Sequence, residues 1–218
     1  MAEITIFLAD DHAVFRDGLQ SFLETQPDFR VAGTAGDGRE AVRIVKELLP
    51  DIVIMDIAMP GLNGIDAAQQ IRKAHKSIGM IILSMYGSSE QVCRALRAGA
   101  RGFLVKESSG EELVEAIRAV HAGQRHLSTK ITELVTTHFI RNIQAPPVKS
   151  PIEQLNARER QVLQLVVEGK TSSVIAENLL LSVKTVETYR ARLMRKLGIE
   201  NLAGLVKFAI ANGLTPIL

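Results

Sequence analysis

Over the first 121 residues, short apolar runs alternate five times with segments of helical spacing, and near His121 the alternation stops. The runs are Ile4–Ala9, Arg30–Ala35, Ile52–Met55, Met80–Leu83 and Gly102–Val105. They lack the polar alternation of a half-exposed sheet, which predicts strands covered on both faces. Between them lie His12–Gln26, Gly38–Leu49, Gly64–His75, Ser88–Ala98 and Ser109–His121, with apolar residues at helical spacing. Five successive strand–helix units predict an α/β domain built on a doubly wound, five-stranded parallel sheet.

The rest of the chain reads differently. Ser128–Ile143 has helical spacing, and three prolines fall within residues 146–151, where no helix continues. Beyond them every periodic segment is helical: Asn156–Glu168, Thr171–Leu180, Ser182–Leu197 and Asn201–Ala211. Asn156 with Glu159 and Ser182 with Thr185 have the spacing of helix starts, and Gly169, Gly198 and Gly213 stand where helices stop. The expected division is 1–121, a linker 122–150 with a helix over 128–143, and a small all-α four-helix domain over 151–218. Charge divides at the same place. Residues 1–121 carry 13 Lys and Arg against 17 Asp and Glu, a balance of −4; residues 122–218 carry 13 against 7, a balance of +6. A cation for the first half and a polyanion for the second are the partners this implies. The start of the chain has no basic segment followed by a long apolar stretch, no apolar run reaches the ~18 residues of a membrane span, and Cys93 is the single cysteine. These features predict a cytoplasmic protein with no membrane partner.

Asp10 and Asp11 end the first apolar run and Asp56 follows the third. In a doubly wound sheet of order 2-1-3-4-5, strands one and three are neighbours, and ligands bind beyond their C-terminal ends. Three carboxylates there repel one another unless a cation intervenes. Mg²⁺, a hard ion served by oxygen ligands, fits that need. Each aspartate alone reads as a helix cap or turn residue; the set reads otherwise. Asp56 opens Asp56-Ile-Ala-Met-Pro-Gly-Leu-Asn-Gly64, a strand end running into a proline- and glycine-bearing loop, while Ser84 and Lys106 end the fourth and fifth runs. The five histidines, His12, His75, His121, His126 and His138, show no ligand spacing.

Asp10-Asp11, Asp56 with Met59-Pro60-Gly61 and Gly64, Ser84 and Lys106 resemble the flavodoxin-like receiver domain of two-component response regulators. The resemblance implies that Asp56 accepts a phosphoryl group from a cognate sensor histidine kinase. It implies that Mg²⁺ is held by Asp11, Asp56, the Ala58 carbonyl and, partly through water, Asp10. Lys106 would pair with the acyl phosphate, Ser84 would move to bond a phosphate oxygen, and Phe103 would turn into the space that Ser84 leaves. Ala58 and Tyr86 flank the expected path of hydrolytic water, which predicts a long-lived phosphoryl group.

Thr171–Leu180, a turn at Leu181-Ser182 and Val183–Leu197 have the layout of a helix-turn-helix. On a helical wheel the second helix gathers Val186, Leu193 and Leu197 on one face and Lys184, Thr188, Ala191, Arg192 and Arg195 on the other. Periodicity alone fits a solvated face as well as a nucleic-acid face. The string Leu155-Asn-Ala-Arg-Glu-Arg-Gln-Val-Leu163, then Gly169, Ile175-Ala176, Ser182-Val-Lys-Thr-Val-Glu-Thr-Tyr189 and Lys196-Leu197 resembles the LuxR-type DNA-binding domain. With the receiver, it makes the chain similar to the NarL/FixJ type of response regulator. The resemblance implies binding of double-stranded promoter DNA as a homodimer, with RNA polymerase as a further partner. It points to Lys184, Thr185, Glu187, Thr188, Ala191, Arg192 and Arg195 as the DNA contacts: Glu187 to cytosine N4, Thr188 and Ala191 to thymine methyls. Thr171-Ser-Ser-Val174 departs from the usual Ser-Asn-Lys-Glu and lacks its lysine. The last helix, with Leu202, Leu205, Val206, Ala209 and Ile210, fits either a dimer contact or the domain's own core.

Two other functions share parts of this pattern. An aspartyl-nucleophile phosphatase uses a similar sheet but needs a second acid two residues after the nucleophile, where this chain has Ala58, so no enzyme activity on free substrates is expected. A receiver acting through protein contacts alone has no use for the basic second half.

Overall fold

The computed structural model describes residues 3–85, 87–142 and 151–215. The prolines at 146 and 147 and Tyr86 lie outside the described residues. Six parallel strands, β1 (Ile4–Ala9), β2 (Phe29–Ala35), β3 (Ile52–Asp56), β4 (Gly79–Ser84), β5 (Gly102–Val105) and β6 (His126–Leu127), form one sheet in the order β2-β1-β3-β4-β5-β6. Helices α1 (Ala13–Leu23), α2 (Gly38–Leu48), α3 (Gly64–Ala74), α4 (Ser89–Ala98) and α5 (Gly110–His121) connect them.

Successive side chains of a strand point to opposite faces, and each face here meets its own apolar layer. Ile6, Leu8, Ile52, Ile54, Ile81 and Leu83 pack with Leu23 of α1 and Leu113, Ile117 and Val120 of α5. Phe7, Ala9, Val53, Met55, Met80 and Ile82 pack with residues of α2, α3 and α4. This is why the strand runs are apolar without alternation.

The sheet has one strand more than the five expected. After α5 the chain turns at Gly123, whose φ is +82°, and His126 and Leu127 pair in parallel with Gly102 and Phe103. A two-residue strand is too short to leave a period in the sequence. Helix α6 (Thr129–Asn142) follows, and its Ile131 is buried in the same layer as Phe103 and Val92.

The last described segment is all-helical. A 3-10 turn, Pro151–Gln154, leads into α7 (Ala157–Val167), α8 (Ser172–Leu179), α9 (Val183–Leu197) and α10 (Leu202–Ala211). One core joins them, with Ile152, Val162, Leu163, Ile175, Val186, Leu193, Leu205 and Ala209 at its centre. Side-chain caps start these helices: Asn156, Thr171, Ser182 and Asn201 each accept a backbone N–H of the first turn. Asn156 and Glu159 form the reciprocal capping box expected from their spacing. Glu159 is fully buried and also pairs with Lys196 of α9 at 2.7 Å, tying the first helix of the unit to the third.

Candidate functional site: an acidic pocket and a basic helix

The C-terminal ends of β1, β3 and β5 deliver Asp10, Asp56 and Lys106 to one point. The Lys106 ammonium lies 2.6 Å from Asp10 Oδ2 and 3.2 Å from Asp56 Oδ2, with both carboxylates and the lysine buried. The Ile57 N–H donates to Asp56 Oδ1 at 2.8 Å and so fixes the carboxylate. Gly64 closes the loop behind it. Its N–H donates to the Ile57 carbonyl at 2.8 Å, and a Cβ there would sit 1.8 Å from the Asp56 carbonyl oxygen, so only glycine fits. Burial pushes the Asp56 carboxyl above its ordinary pKa; Lys106 pulls it down and Asp10 pushes it up.

Asp11 and His12 complete the cluster. One ligand atom from each of Asp10, Asp11, His12 and Asp56 lies within 4.8 Å of the others. The histidines show no ligand spacing in the sequence, yet the exposed His12 joins this cluster: its N–H donates to Asp10 Oδ1 at 2.9 Å and its Nδ1 lies 2.8 Å from Asp11 Oδ1. A histidine next in sequence to two aspartates is the signal that a search for ligand spacing among histidines misses. Asp11 Oδ1 is buried and receives no well-formed hydrogen bond. Carboxylate oxygens of Asp10, Asp11 and Asp56 gathered within 4.8 Å of one another are the environment a hard divalent cation fits, so the residues present suit Mg²⁺. Ala58 and Ser84 line the cavity above Asp56. Phe103 is already fully buried, with its ring near Gly87 and its layer shared with Ile131, so no outward position of this aromatic is seen.

The residues singled out on α9 divide as the wheel predicts. Val186 and Leu193 are buried, whereas Lys184, Thr188, Ala191, Arg192 and Arg195 are exposed. The Thr188 hydroxyl donates to the Lys184 carbonyl at 2.9 Å. Thr185 serves the cap, its N–H donating to Ser182 Oγ at 3.1 Å. Glu187 is exposed but engaged by Ser172 and Arg190. Arg192 lies over the Tyr189 ring at 6.0 Å.

A polar stripe on α7 joins the two halves. Arg160, Gln164 and Glu168 recur every four residues and so share one face. Arg160 pairs with Asp66 of α3. Gln164 accepts from the Asn63 N–H at 2.9 Å and donates to the Met59 carbonyl at 2.8 Å. Glu168 accepts from the Gly61 N–H at 2.9 Å. Gln164 and Glu168 thus hold the backbone of the loop that begins at Asp56, and Arg160 holds the Asp66 side chain on the helix after it. Arg94 of α4 donates to the Asn212 carbonyl at 3.0 Å, just past α10. Sequence reasoning did not find this face.

Among the described residues no helix is long and apolar enough to cross a membrane. A family model described as a response regulator receiver domain matches residues 6–118, and one described as bacterial regulatory proteins of the luxR family matches residues 153–209. The oxygen regulatory protein NreC of Staphylococcus carnosus is 36% identical over 212 residues, 96% of this chain and 98% of that protein. The transcriptional regulatory protein YhcZ of Bacillus subtilis is 40% identical over 209 residues, 96% of each chain. A two-component response regulator of the LuxR family from Aurantimonas sp. SI85-9A1 superposes with a TM-score of 0.62 at 36% identity, over 64% of this chain and 99% of that one. The RcsB response regulator of Salmonella typhimurium superposes with a TM-score of 0.66 at 25% identity, over 97% of this chain and 99% of that one. Acidic pocket, basic helix and both family matches agree, and the chain belongs to the two-component response regulators that join a receiver domain to a LuxR-type DNA-binding domain.

Proposed function

We propose that this regulator is controlled by phosphorylation: Asp56 accepts a phosphoryl group from a sensor histidine kinase, and the C-terminal domain then binds promoter DNA in the cytoplasm. The observation that carries this reading is the buried contact of Lys106 with both Asp10 and Asp56. The Asp56 carboxylate is the nucleophile, and the Ile57 N–H holds one oxygen so that the other faces the donor. Lys106, already between the two acids, is placed to pair with the added phosphate charge. Asp10, Asp11, Asp56 and the Ala58 carbonyl would hold Mg²⁺, which supplies neutralisation of the transferring oxygens. Ser84, at the end of β4 in the same cavity, is the group we assign to a phosphate oxygen. In this reading residues 1–121 form the receiver, 122–150 a linker whose β6 and Ile131 pack onto the receiver, and 151–218 the DNA-binding domain.

On DNA, Lys184, Arg192 and Arg195 would meet phosphates, while Thr188 and Ala191 would approach base edges in the major groove. Glu187 can reach a base only by leaving Ser172 and Arg190. The likeness to RcsB, whose structure concerns DNA interaction, supports binding of double-stranded DNA, and we read the bound form as a homodimer. The decisive experiment is Mg²⁺-dependent labelling by acetyl phosphate of the wild type and Asp56→Asn, followed by DNA titration. Labelling of the wild type alone, with tighter DNA binding after labelling, is expected; equal labelling of both would remove Asp56 as acceptor.

A further inference from the structure

The mouth of the acidic pocket is walled by the DNA-binding domain. A cavity of about 640 Å³ has Asp56, Ala58, Ser84 and Gln91 on the receiver side and Ile210, Ala211, Gly213 and Thr215 on the other. The approach at Gly213 is close. A Cβ there would meet Gln91 Nε2 at 2.3 Å and Ile57 Cγ2 at 3.2 Å, and Ile57 is the residue after the acceptor. The clasp formed by Arg160, Gln164, Glu168 and the Arg94–Asn212 bond holds the domain in this position.

We infer that the docked DNA-binding domain is a donor-size gate: it admits small phosphoryl donors to Asp56 and excludes phosphohistidine carried on a protein. This rests on the reading of Asp56 as acceptor. In either transfer an Asp56 oxygen–phosphorus bond forms as the donor's phosphorus–nitrogen bond breaks. Imidazole leaves from phosphohistidine, taking a proton from water, and ammonia leaves from phosphoramidate. The chemistry is shared, so size separates the two donors. A helix about 10–12 Å across with a pitch near 5.4 Å occupies roughly 500 Å³ per turn. A protein donor must bring more than one such turn, with its neighbours, to the acceptor. The cavity has room for a phosphoramidate or an acyl phosphate, but a helix carrying histidine needs the space that Ile210 to Thr215 fill. Protein donors therefore reach Asp56 only from the undocked form, whose population the clasp sets, whereas small donors reach it from both forms.

The test compares two donors on the full chain: phosphoramidate, and the autophosphorylated cytoplasmic core of a histidine kinase chosen because it labels this chain. The Arg160→Ala, Gln164→Ala variant keeps Asp10, Asp56, Ser84 and Lys106 but also frees the loop at Met59 and Asn63, an effect common to both donors that the ratio of their rates cancels. Each lost hydrogen bond shifts the docked–open balance by about fivefold. The ratio of kinase to phosphoramidate rates should rise about tenfold or more in the double variant, while the phosphoramidate rate changes by less than about threefold. Arg97→Glu, which reverses a surface ion pair between α4 and Glu153 and leaves both cores intact, should move the ratio the same way by a smaller factor. An unchanged ratio in both variants, or a parallel rise with both donors, would overturn the gate. Labelling of Asp56→Asn by both donors would instead overturn the acceptor assignment.

Discussion

Arg160 of the DNA-binding domain and Asp66 of the receiver form a two-point ion pair across the domain boundary, with Nη2 at 2.6 Å and Nε at 2.9 Å from Asp66 Oδ1. Asp66 Oδ2 also accepts from the Asn63 side chain at 2.9 Å, so the pair belongs to the network that holds the loop after Asp56. A bidentate, largely buried pair of this kind fixes orientation as well as adding energy. Breaking it leaves one buried charge without its partner.

The first prediction concerns that pair. Asp66→Ala and Arg160→Ala should each expand the molecule in small-angle scattering, and the double variant should expand it no further than the more open single variant. Residues acting through one contact are non-additive, with a coupling here of about 1–3 kcal/mol. Independent, additive expansions would show that the pair does not hold the domains.

Asp56→Asn should raise the Mg²⁺-free melting temperature near neutral pH. Burial holds the Asp56 carboxyl above its ordinary pKa in the fold, with Lys106 only partly offsetting it. Its ionised form therefore weakens the native state. That penalty is absent below the unfolded carboxylate value of about 3.9, grows as pH rises through the window up to the folded value, and stays constant above it. The gain from asparagine should follow the same course, at roughly 2–4 °C per kcal/mol relieved for a chain of this size. A difference independent of pH would place the effect elsewhere.

Much of this was legible because each signal sits within one element. Alternating layers on β1 and β3 force apolar runs, and Asp10, Asp56, Ser84 and Lys106 lie at strand ends, where a doubly wound sheet gathers ligand groups. What was not legible depends on contacts between distant segments. Arg160, Gln164 and Glu168 look like the solvated side of an amphipathic helix, yet Gln164 is fully buried against the loop at Met59 and Asn63. Strand β6 is two residues long and takes its register from Gly102 and Phe103 rather than from its own pattern. Glu187 reads as a base contact by position, and its engagement by Ser172 requires the packing of α8 on α9.

Leu180 offers a stability gain outside any site. It caps α8 at φ 54° and is 93% exposed. A left-handed conformation costs a branched side chain roughly 1–2 kcal/mol, and this exposed leucine has little packing to set against it. Leu180→Gly should raise the melting temperature of the DNA-binding domain by a few degrees, and Leu180→Asn by less, because asparagine tolerates this region only in part. Calorimetry of the full chain reads the shift; a lower melting temperature for both variants would mean that the leucine is held by contacts.

Neutralising Lys184, Arg192 or Arg195 singly should weaken binding to all DNA sequences alike and flatten the dependence of log affinity on log salt by about one unit. The three side chains are exposed on the outer face of α9. Thr188→Ala should leave the salt slope alone and change sequence preference, because its hydroxyl is committed to the Lys184 carbonyl and only its methyl is free to meet a base. An unchanged slope for all three basic variants would remove this face from the interface.

The lifetime of the phosphoryl group should depend on Ala58. This residue lies two positions after the acceptor and lines the cavity above Asp56. Hydrolysis needs a water oriented in line with phosphorus, opposite the Asp56 oxygen. An alanine methyl offers such a water no hydrogen bond. Asparagine at the same place offers an amide within the same cavity. Ala58→Asn should therefore shorten the lifetime by about three- to tenfold, the worth of one well-placed hydrogen bond. The measurement loads the protein with acetyl phosphate, removes the donor and follows loss of label in Mg²⁺. Because the docked domain also walls this cavity, the comparison should be repeated in the Arg160→Ala, Gln164→Ala background. If Ala58 controls the water directly, the ratio of the two lifetimes is the same in both backgrounds. Equal or slower loss from Ala58→Asn in both would show that this side chain does not govern hydrolysis.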